Sequence, residues 1–202
     1  KGRPLRPQMQ NLFDESLPQI QVPQDIQTLD GLYNHAPKDI FLEIGFGGGE
    51  HLASIAEAAP EAGFIGAEPF VNGVASLLRH IEERSIENIR IWPDDVRLIL
   101  DRMPENSLAG AYIMFPDPWP KKRHAGRRIL QQSMRDRLAR LIRSGGHLRM
   151  ASDHPIAKTW LLAEAMADDR FEWLAQSAKD WQERPQGWPE TRYMAKGVDE
   201  GR

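Results

Sequence analysis

From Asp39 onward, short apolar runs alternate with longer stretches in which apolar residues recur every three or four positions. Ile40 to Gly45 reads as a strand and Gly49 to Ala58 as a helix closed by Pro60. Phe64 to Ala67 is the next strand, and Val71, Val74, Leu78 and Ile81 then repeat at helical spacing. Ile89 to Trp92 is a third strand, Asp95 to Arg102 a short helix, and Leu108 to Phe115 a continuous apolar run of the kind a central parallel strand shows. A helix over Arg127 to Arg143 ends at Gly145 and Gly146. His147 to Ala151 is a fifth strand, Pro155 to Ala167 a helix, Phe171 to Leu174 a sixth strand, with a seventh near Arg192 to Ala195. Strand and helix in alternation, with strands too apolar for one solvated face, imply an α/β fold whose parallel sheet is covered on both sides. Ligands in such sheets bind beyond the carboxyl ends of the strands.

The first 38 residues break this rhythm. They hold five of the fifteen prolines and little periodicity, so they read as an N-terminal arm lying on, or detached from, a domain spanning 39–202. With 202 residues, 41% of them apolar and 27% charged, the chain has room for one domain with a core of its own. Its longest apolar stretch is the eight residues from Leu108 to Phe115, far short of the roughly 18 to 20 a membrane helix needs. The absence of cysteine excludes a disulfide framework, a thiol nucleophile and thiolate zinc sites, and fits a cytoplasmic setting. No apolar signal-peptide segment follows the opening basic residues, and the missing initiator Met suggests trimming.

Net charge is −3, but its distribution is lopsided. Between Lys121 and Arg143 there are nine Lys or Arg against one acid, Asp136, a net +8 over 23 residues that leaves −11 on the rest. Such a stretch can attract a polyanion locally; it can equally be a solvated helix face. Leu130, Met134, Leu138 and Leu141 share one face of that helix, with Arg128, Arg135, Arg140 and Arg143 around the opposite one and Arg137 near the apolar side.

Candidate chemistry gathers at the carboxyl ends of the strands. The first strand runs into Glu43-Ile44-Gly45-Phe46-Gly47-Gly48-Gly49-Glu50, a glycine turn that lets backbone approach a ligand at a helix start. Glu50 stands where a dinucleotide fingerprint needs glycine, which argues against NAD or FAD. Glu43, inside a strand, needs a positive or donor partner; the spacing Glu43, Gly45, Gly47, Gly49 resembles the first motif of class I S-adenosylmethionine-dependent methyltransferases, against the plainer alternative of a capped glycine turn. Glu68 ends the second strand, where an acid can accept both ribose hydroxyls of an adenosine or cap the next helix. Asp94 and Asp95 follow the third strand, suited to an adenine edge or to capping, with capping preferred for Asp94. After the fourth strand, three prolines within Phe115-Pro116-Asp117-Pro118-Trp119-Pro120 freeze a loop that presents Asp117 and Trp119, the latter either to a base or to the core.

That loop continues Lys121-Lys122-Arg123-His124, followed at once by Arg127-Arg128-Ile129. The whole resembles the signature of the bacterial tRNA (guanine-N7)-methyltransferase family. The resemblance extends through Glu43 to Gly47, Glu68, Asn88-Ile89-Arg90 to Asp95, Ala151-Ser152-Asp153 and Thr191-Arg192-Tyr193. It implies a Rossmann-like class I methyltransferase fold with a mostly parallel seven-stranded sheet and helices on both faces. It further implies S-adenosyl-L-methionine held by Glu43, Gly45, Gly47, Glu68, Asp95 and Asp117, with Asp117 also catalytic. Lys121, Arg123, Asp153, Thr191, Arg192 and Tyr193 would contact a tRNA substrate. In one departure, Met194 stands where the family carries Glu, so either another acid holds the guanine or its binding is weakened.

The residues alone are compatible with this chemistry. Guanine N7 already carries a free lone pair, so its methylation needs alignment and electrostatics rather than a base. Two other readings are a methyltransferase acting on another base or a protein amide, and a non-catalytic RNA-binding module on the same fold. The six histidines show no metal-ligand pairing, no G-x-S-x-G is present, and a monomer or homodimer without metal or membrane is expected. Trp181 and Trp188, beside Pro185 and Pro189, are expected to anchor the C-terminal stretch by packing.

Overall fold

The structure, a computed structural model, describes residues 4–183 and residue 188. Its sheet consists of β1 (Ile40–Ile44), β2 (Gly63–Ala67), β3 (Ile89–Trp92), β4 (Leu108–Met114) and β5 (Ile142–Ala151), in the order β3-β2-β1-β4-β5. All four pairings are parallel. β2 and β4 are buried at every residue, as strands covered on both faces must be. Strand order reverses between β1 and β4, which opens a crevice beyond their carboxyl ends.

Alternation along the strands feeds two cores. Leu42, Ile44, Ile65 and Ile113 pack with α5 (Arg97–Leu100), α6 (Gln132–Leu141) and α7 (Pro155–Met166) through Ile99, Met134, Leu138, Leu141, Trp160 and Leu161. On the other face Phe64, Ile89 and Ile91 meet α3 (Glu50–Ala58) and α4 (Val71–Arg84) through Leu52, Val74, Leu77 and Leu78. The first forty residues carry α1 (Pro7–Glu15) and α2 (Leu17–Ile20), helices that the proline-rich pattern did not suggest. Leu17 enters the second core and Val22, Ile26, Leu29 and Tyr33 the first. The Val22 N–H donates to the Ile91 carbonyl at 2.8 Å, so this segment shields the otherwise open edge of β3. Among the described residues no helix is long and apolar enough to cross a membrane.

The described sheet has five strands rather than seven. Phe171–Leu174 forms no strand: Asp168 gathers the backbone N–H of Arg170 and its guanidinium, the Phe171 N–H closes a turn on the Asp168 carbonyl at 3.0 Å, and Phe171 packs back on the core. The seventh strand, near residues 192–195, lies outside the described residues. The helix expected over 127–143 is also shorter: a 3-10 turn at Lys122–Arg127 precedes it, and α6 spans only Gln132–Leu141. Ile142 leaves α6 directly into β5, where it pairs with Leu108. Gly145, at φ +76°, and Gly146 therefore lie in the irregular start of β5 instead of ending a helix.

One scaffold contact explains a residue that stands out in the sequence. The buried Asn88 amide donates to the carbonyls of Ala56, Ala59 and Ala62 at 2.9 to 3.0 Å, closing the C-terminal end of α3 onto β3. Removing it in Asn88→Ala strands buried carbonyls and is expected to cost about 2 to 3 kcal/mol, read as a drop of roughly 5 to 10 °C in the thermal midpoint. A variant that melts with the wild type would show that water replaces the amide there.

Candidate active site

The turn after β1 is held by three left-handed glycines: Gly45 at φ +71°, Gly47 at +57° and Gly49, the N-cap of α3, at +82°. Behind it α4 presses close. A Cβ added to Gly73 would stand 2.3 Å from the Gly47 carbonyl oxygen, so only glycine fits there. In front, a Cβ added to Gly45 would meet nothing within 4 Å. The turn is thus pinned from the helix side and open to a ligand on the other.

Glu68, at the end of β2, is only 4% exposed. Its Oε2 accepts the Gly47 N–H at 2.9 Å and its Oε1 the Phe70 N–H at 3.0 Å, which ties the acid directly to the glycine turn. Burial raises its pKa, the two N–H groups oppose that rise, and the Asp117 carboxylate adds to it. Asp117, on the loop after β4, thus lies within electrostatic reach of Glu68 at the end of β2. The Asp95 carboxylate instead grips Arg97, accepting its backbone N–H at 3.0 Å and its Nε at 2.9 Å, and this pairing lowers its pKa. The Asx contact at the α5 entrance is thus made by Asp95, while Asp94 accepts the Asp95 N–H, at 2.6 Å.

Two bulky residues flank Asp117 in left-handed backbone, Phe115 at φ +51° and Trp119 at +40°. Such conformations cost roughly 1 to 3 kcal/mol each and concentrate at functional loops. Here the Phe115 N–H extends the β4–β5 ladder to the Ala151 carbonyl at 2.8 Å, Arg128 donates to the Trp119 carbonyl at 3.3 Å, and the Arg127 guanidinium lies 5.0 Å from the Trp119 ring centroid. Trp119 also meets His124 edge-on and is half-buried, so it packs into its own loop. Asp117 remains exposed.

Downstream, the basic stretch divides into two kinds of cation. Arg135 binds Glu164 and Asp168, Arg137 binds Asp101, Arg140 donates to the carbonyls of Leu100 and Met103, and Arg143 binds Asp39. These arginines fasten α6 and the start of β5 to the rest of the domain. Lys121, Lys122 and Arg123 are exposed beside Asp117 and make no ion pair among the described residues.

Glu43 has found its partner inside the protein. At 1% exposure its Oε2 accepts a hydrogen bond from Nδ1 of His51, in the first turn of α3, at 2.7 Å. Register aligns Glu43 with Tyr112 on β4 and Tyr112 with Arg149 on β5. Burial raises the Tyr112 pKa, Arg149 opposing and Glu43 reinforcing the rise. His51, Tyr112 and Arg149 were not legible as site residues, because they meet only through strand register and the approach of α3. Asp153 is half-buried near the carboxyl end of β5; the cap of α7 is His154, whose Nδ1 accepts the Ile156 N–H at 3.2 Å. Thr191, Arg192 and Tyr193, with Met194, lie outside the described residues. No three His, Asp or Glu side chains among the described residues converge as a metal-binding group.

This geometry accords with the comparisons to known proteins. The profile of a family described as "Putative methyltransferase" matches residues 37–202. The tRNA (guanine-N(7)-)-methyltransferase of Rhodospirillum rubrum is 46% identical over 208 residues, covering 100% of this chain and 82% of its own. Those of Sphingopyxis alaskensis and Brucella abortus are 44% and 40% identical over 207 residues, again across 100% of this chain and 87% and 88% of theirs. Among solved structures, precorrin-6y C5,15-methyltransferase from Geobacter metallireducens superimposes with a TM-score of 0.51 at 12% identity, over 66% of this chain and 63% of that one. An rRNA methylase from Streptococcus thermophilus gives 0.50 at 14% identity, over 65% and 71%. These structural likenesses establish a class I methyltransferase-like α/β fold, and the full-length sequence relatives establish more: the chain belongs to the tRNA (guanine-N(7)-)-methyltransferase family.

Proposed function

We propose that this protein transfers a methyl group from S-adenosylmethionine to N7 of a guanine in tRNA, forming 7-methylguanosine, through a methyltransferase domain over 39–202 preceded by an N-terminal arm over 1–38. The observation that carries the reading is a glycine turn open on one side and tied to the buried Glu68, with exposed Asp117 and three cations that make no ion pair among the described residues on the loop after β4. The family relatives, named for this reaction, support it.

The residues fit S-adenosylmethionine. Gly45 offers bare backbone to close approach, and Glu68 holds a desolvated carboxylate with lone pairs left for ribose hydroxyls. Asp117 offers a negative charge to a cationic ligand, and Glu43, kept oriented by His51, stands just before the turn. Asp95 would hold an adenine edge by sharing the carboxylate that Arg97 now holds. S-adenosylmethionine supplies an electrophilic methyl group on a sulfonium. Asp117 would be the catalytic residue: its carboxylate would orient the guanine edge and stabilise the positive charge that passes to the purine. Guanine gives up no proton on methylation at N7, so no side chain has to act as a base. Lys121 and Arg123, with Asp153 and the Thr191–Tyr193 segment, contact the RNA.

Tritiated methyl transfer to unmodified tRNA, followed by nucleoside analysis, tests the reading directly. Label in 7-methylguanosine is expected; label confined to another nucleoside, or to protein, would overturn it. A second measurement separates the two kinds of cation. Each phosphate contact releases counterions, so Lys122→Ala or Arg123→Ala is expected to weaken tRNA binding at low salt and to flatten the log–log salt slope by about 0.7 to 1. Lys121→Ala should do the same and also slow transfer. Arg137→Ala, which breaks an ion pair to Asp101, should leave the slope unchanged. Wild-type slopes in all three loop variants would remove the loop from the RNA interface.

A further inference from the structure

The glycine turn is closed at its base by two buried side chains. Glu43 stands one residue before the end of β1 and His51 is the second residue of α3, so the 2.7 Å bond from Nδ1 of His51 to Oε2 of Glu43 bridges the turn from Gly45 to Gly49. The side chains of Glu43 and His51 are 1% and 3% exposed, and among the described residues His51 is the one ion-pair partner of Glu43. Aromatic rings flank the imidazole: Tyr112 lies edge-on to it at 5.3 Å between centroids, and Trp188 is tilted at 58° to it at 4.8 Å. Of the two tryptophans expected to pack, Trp188 does so here, while Trp181 is 58% exposed. The His51 Nε2 is buried and finds no hydrogen-bond partner among the described residues; the Tyr112 hydroxyl turns instead to Nε2 of His147, at 3.3 Å.

Where the protons sit decides what this pair can hold. The Glu43 carboxylate needs a donor, so Nδ1 of His51 carries hydrogen. A second proton, on Nε2, would make the imidazole a cation and leave a charged N–H buried beside aromatic rings without an acceptor, which costs more than leaving a lone pair there. It would also set a positive charge in the first turn of α3, at the positive end of the helix dipole. The carboxylate pulls the other way, but it receives the Nδ1 hydrogen in either form, and the cation's added attraction is set against the lost hydration of two buried charges. Neutral and held through Nδ1, His51 fixes the carboxylate without cancelling its charge. The pair then carries one net negative charge, removed from water, immediately before the glycine turn. A charge so placed calls for a cation from outside.

Resting on the cofactor reading above, we propose that His51 is a positioning residue for S-adenosylmethionine: in its neutral Nδ1–H form it holds Glu43 in place and leaves the carboxylate charge intact for the cationic end of the cofactor. A doubly protonated His51 would cancel that charge and leave Glu43 a purely structural acid.

The test uses the full chain and two probes, S-adenosylmethionine and methylthioadenosine, the second of which keeps the nucleoside and lacks both the sulfonium and the ammonium. Affinities are measured by calorimetry at pH 7 for wild type, His51→Phe and His51→Asn. His51→Phe removes the donor and is expected to weaken S-adenosylmethionine binding about 10-fold, with methylthioadenosine within about 2-fold of wild type. His51→Asn puts an amide N–H where Nδ1 stood and should stay within about 3-fold for both probes. Equal losses for the two probes would mark His51 as a support for the shape of the turn and overturn the proposal, as would wild-type S-adenosylmethionine affinity in His51→Phe. Should His51→Phe fail to fold, nitrogen NMR of the isotopically labelled wild type decides, with the His51 signals identified by their absence from His51→Asn. One protonated and one bare nitrogen are expected for His51; two protonated nitrogens would overturn the proposal. A wild type that binds neither probe defeats the cofactor reading itself, on a control that involves no variant, and the role of His51 falls with it.

Discussion

Replacing Asp117 with alanine is expected to slow single-turnover methyl transfer to tRNA by about 100-fold or more, the scale of losing one preorganised electrostatic contact. The expectation rests on where the backbone stores strain. Phe115 and Trp119 hold left-handed conformations on either side of Asp117, and the Ala151 carbonyl, Arg127 and Arg128 keep them there. A loop so constrained gives its exposed carboxylate a fixed place before substrate arrives. Asp117→Asn keeps the shape and removes the charge, so its rate should fall between those of wild type and alanine. The rate should be nearly flat from pH 7 to 9, because N7 carries a free lone pair and no base has to be deprotonated. A rise with a log–log slope near one across that range would indicate general-base chemistry and defeat the assignment.

How far the sequence carried this site depended on whether contacts run along the chain or across it. The five strands were legible because each is a short apolar run bounded by turn residues, and the acids were legible because each stands in or just after the end of such a run. Their partners were not. Nothing local pairs Glu43 with His51, or sets Tyr112 beside Arg149; those contacts need parallel register and the crossing of α3. Arginine shows the same limit. Arg135, Arg137, Arg140 and Arg143 read as a basic face along one helix, yet their partners come from Glu164, Asp101, Leu100 and Asp39, far off in sequence. The helix boundary failed for a related reason: Ile142 continues the apolar spacing of α6, and only its pairing with Leu108 turns it into β5. Phe171–Leu174 had strand composition, but the turn built on Asp168 prevails there.

Glu68→Ala is expected to weaken S-adenosylmethionine binding by about 10- to 100-fold, the loss of roughly 1.5 to 3 kcal/mol for hydrogen bonds to a charged group. The acid has two jobs, and Glu68→Gln separates them from charge alone. Both carboxylate oxygens accept backbone N–H groups, one from Gly47 in the cofactor turn and one from Phe70 at the start of α4. A glutamine can accept only one of them; its amide NH2 must face the other donor to donor. Glutamine should therefore behave nearly as badly as alanine, although it is isosteric and can still accept from a hydroxyl. Acid does the same to the wild type. The Glu68 pKa is raised, first by burial, so on acidification the group protonates at a higher pH than an ordinary glutamate, and its new O–H then opposes an N–H. Cofactor affinity should accordingly fall with decreasing pH in the wild type from above the ordinary glutamate range, and Glu68→Gln should lose that component of the pH dependence. Calorimetry across the acidic range on both proteins measures it. A folded Glu68→Gln variant with wild-type affinity would show that the two backbone donors do not depend on this carboxylate, and that the glycine turn keeps its shape without it.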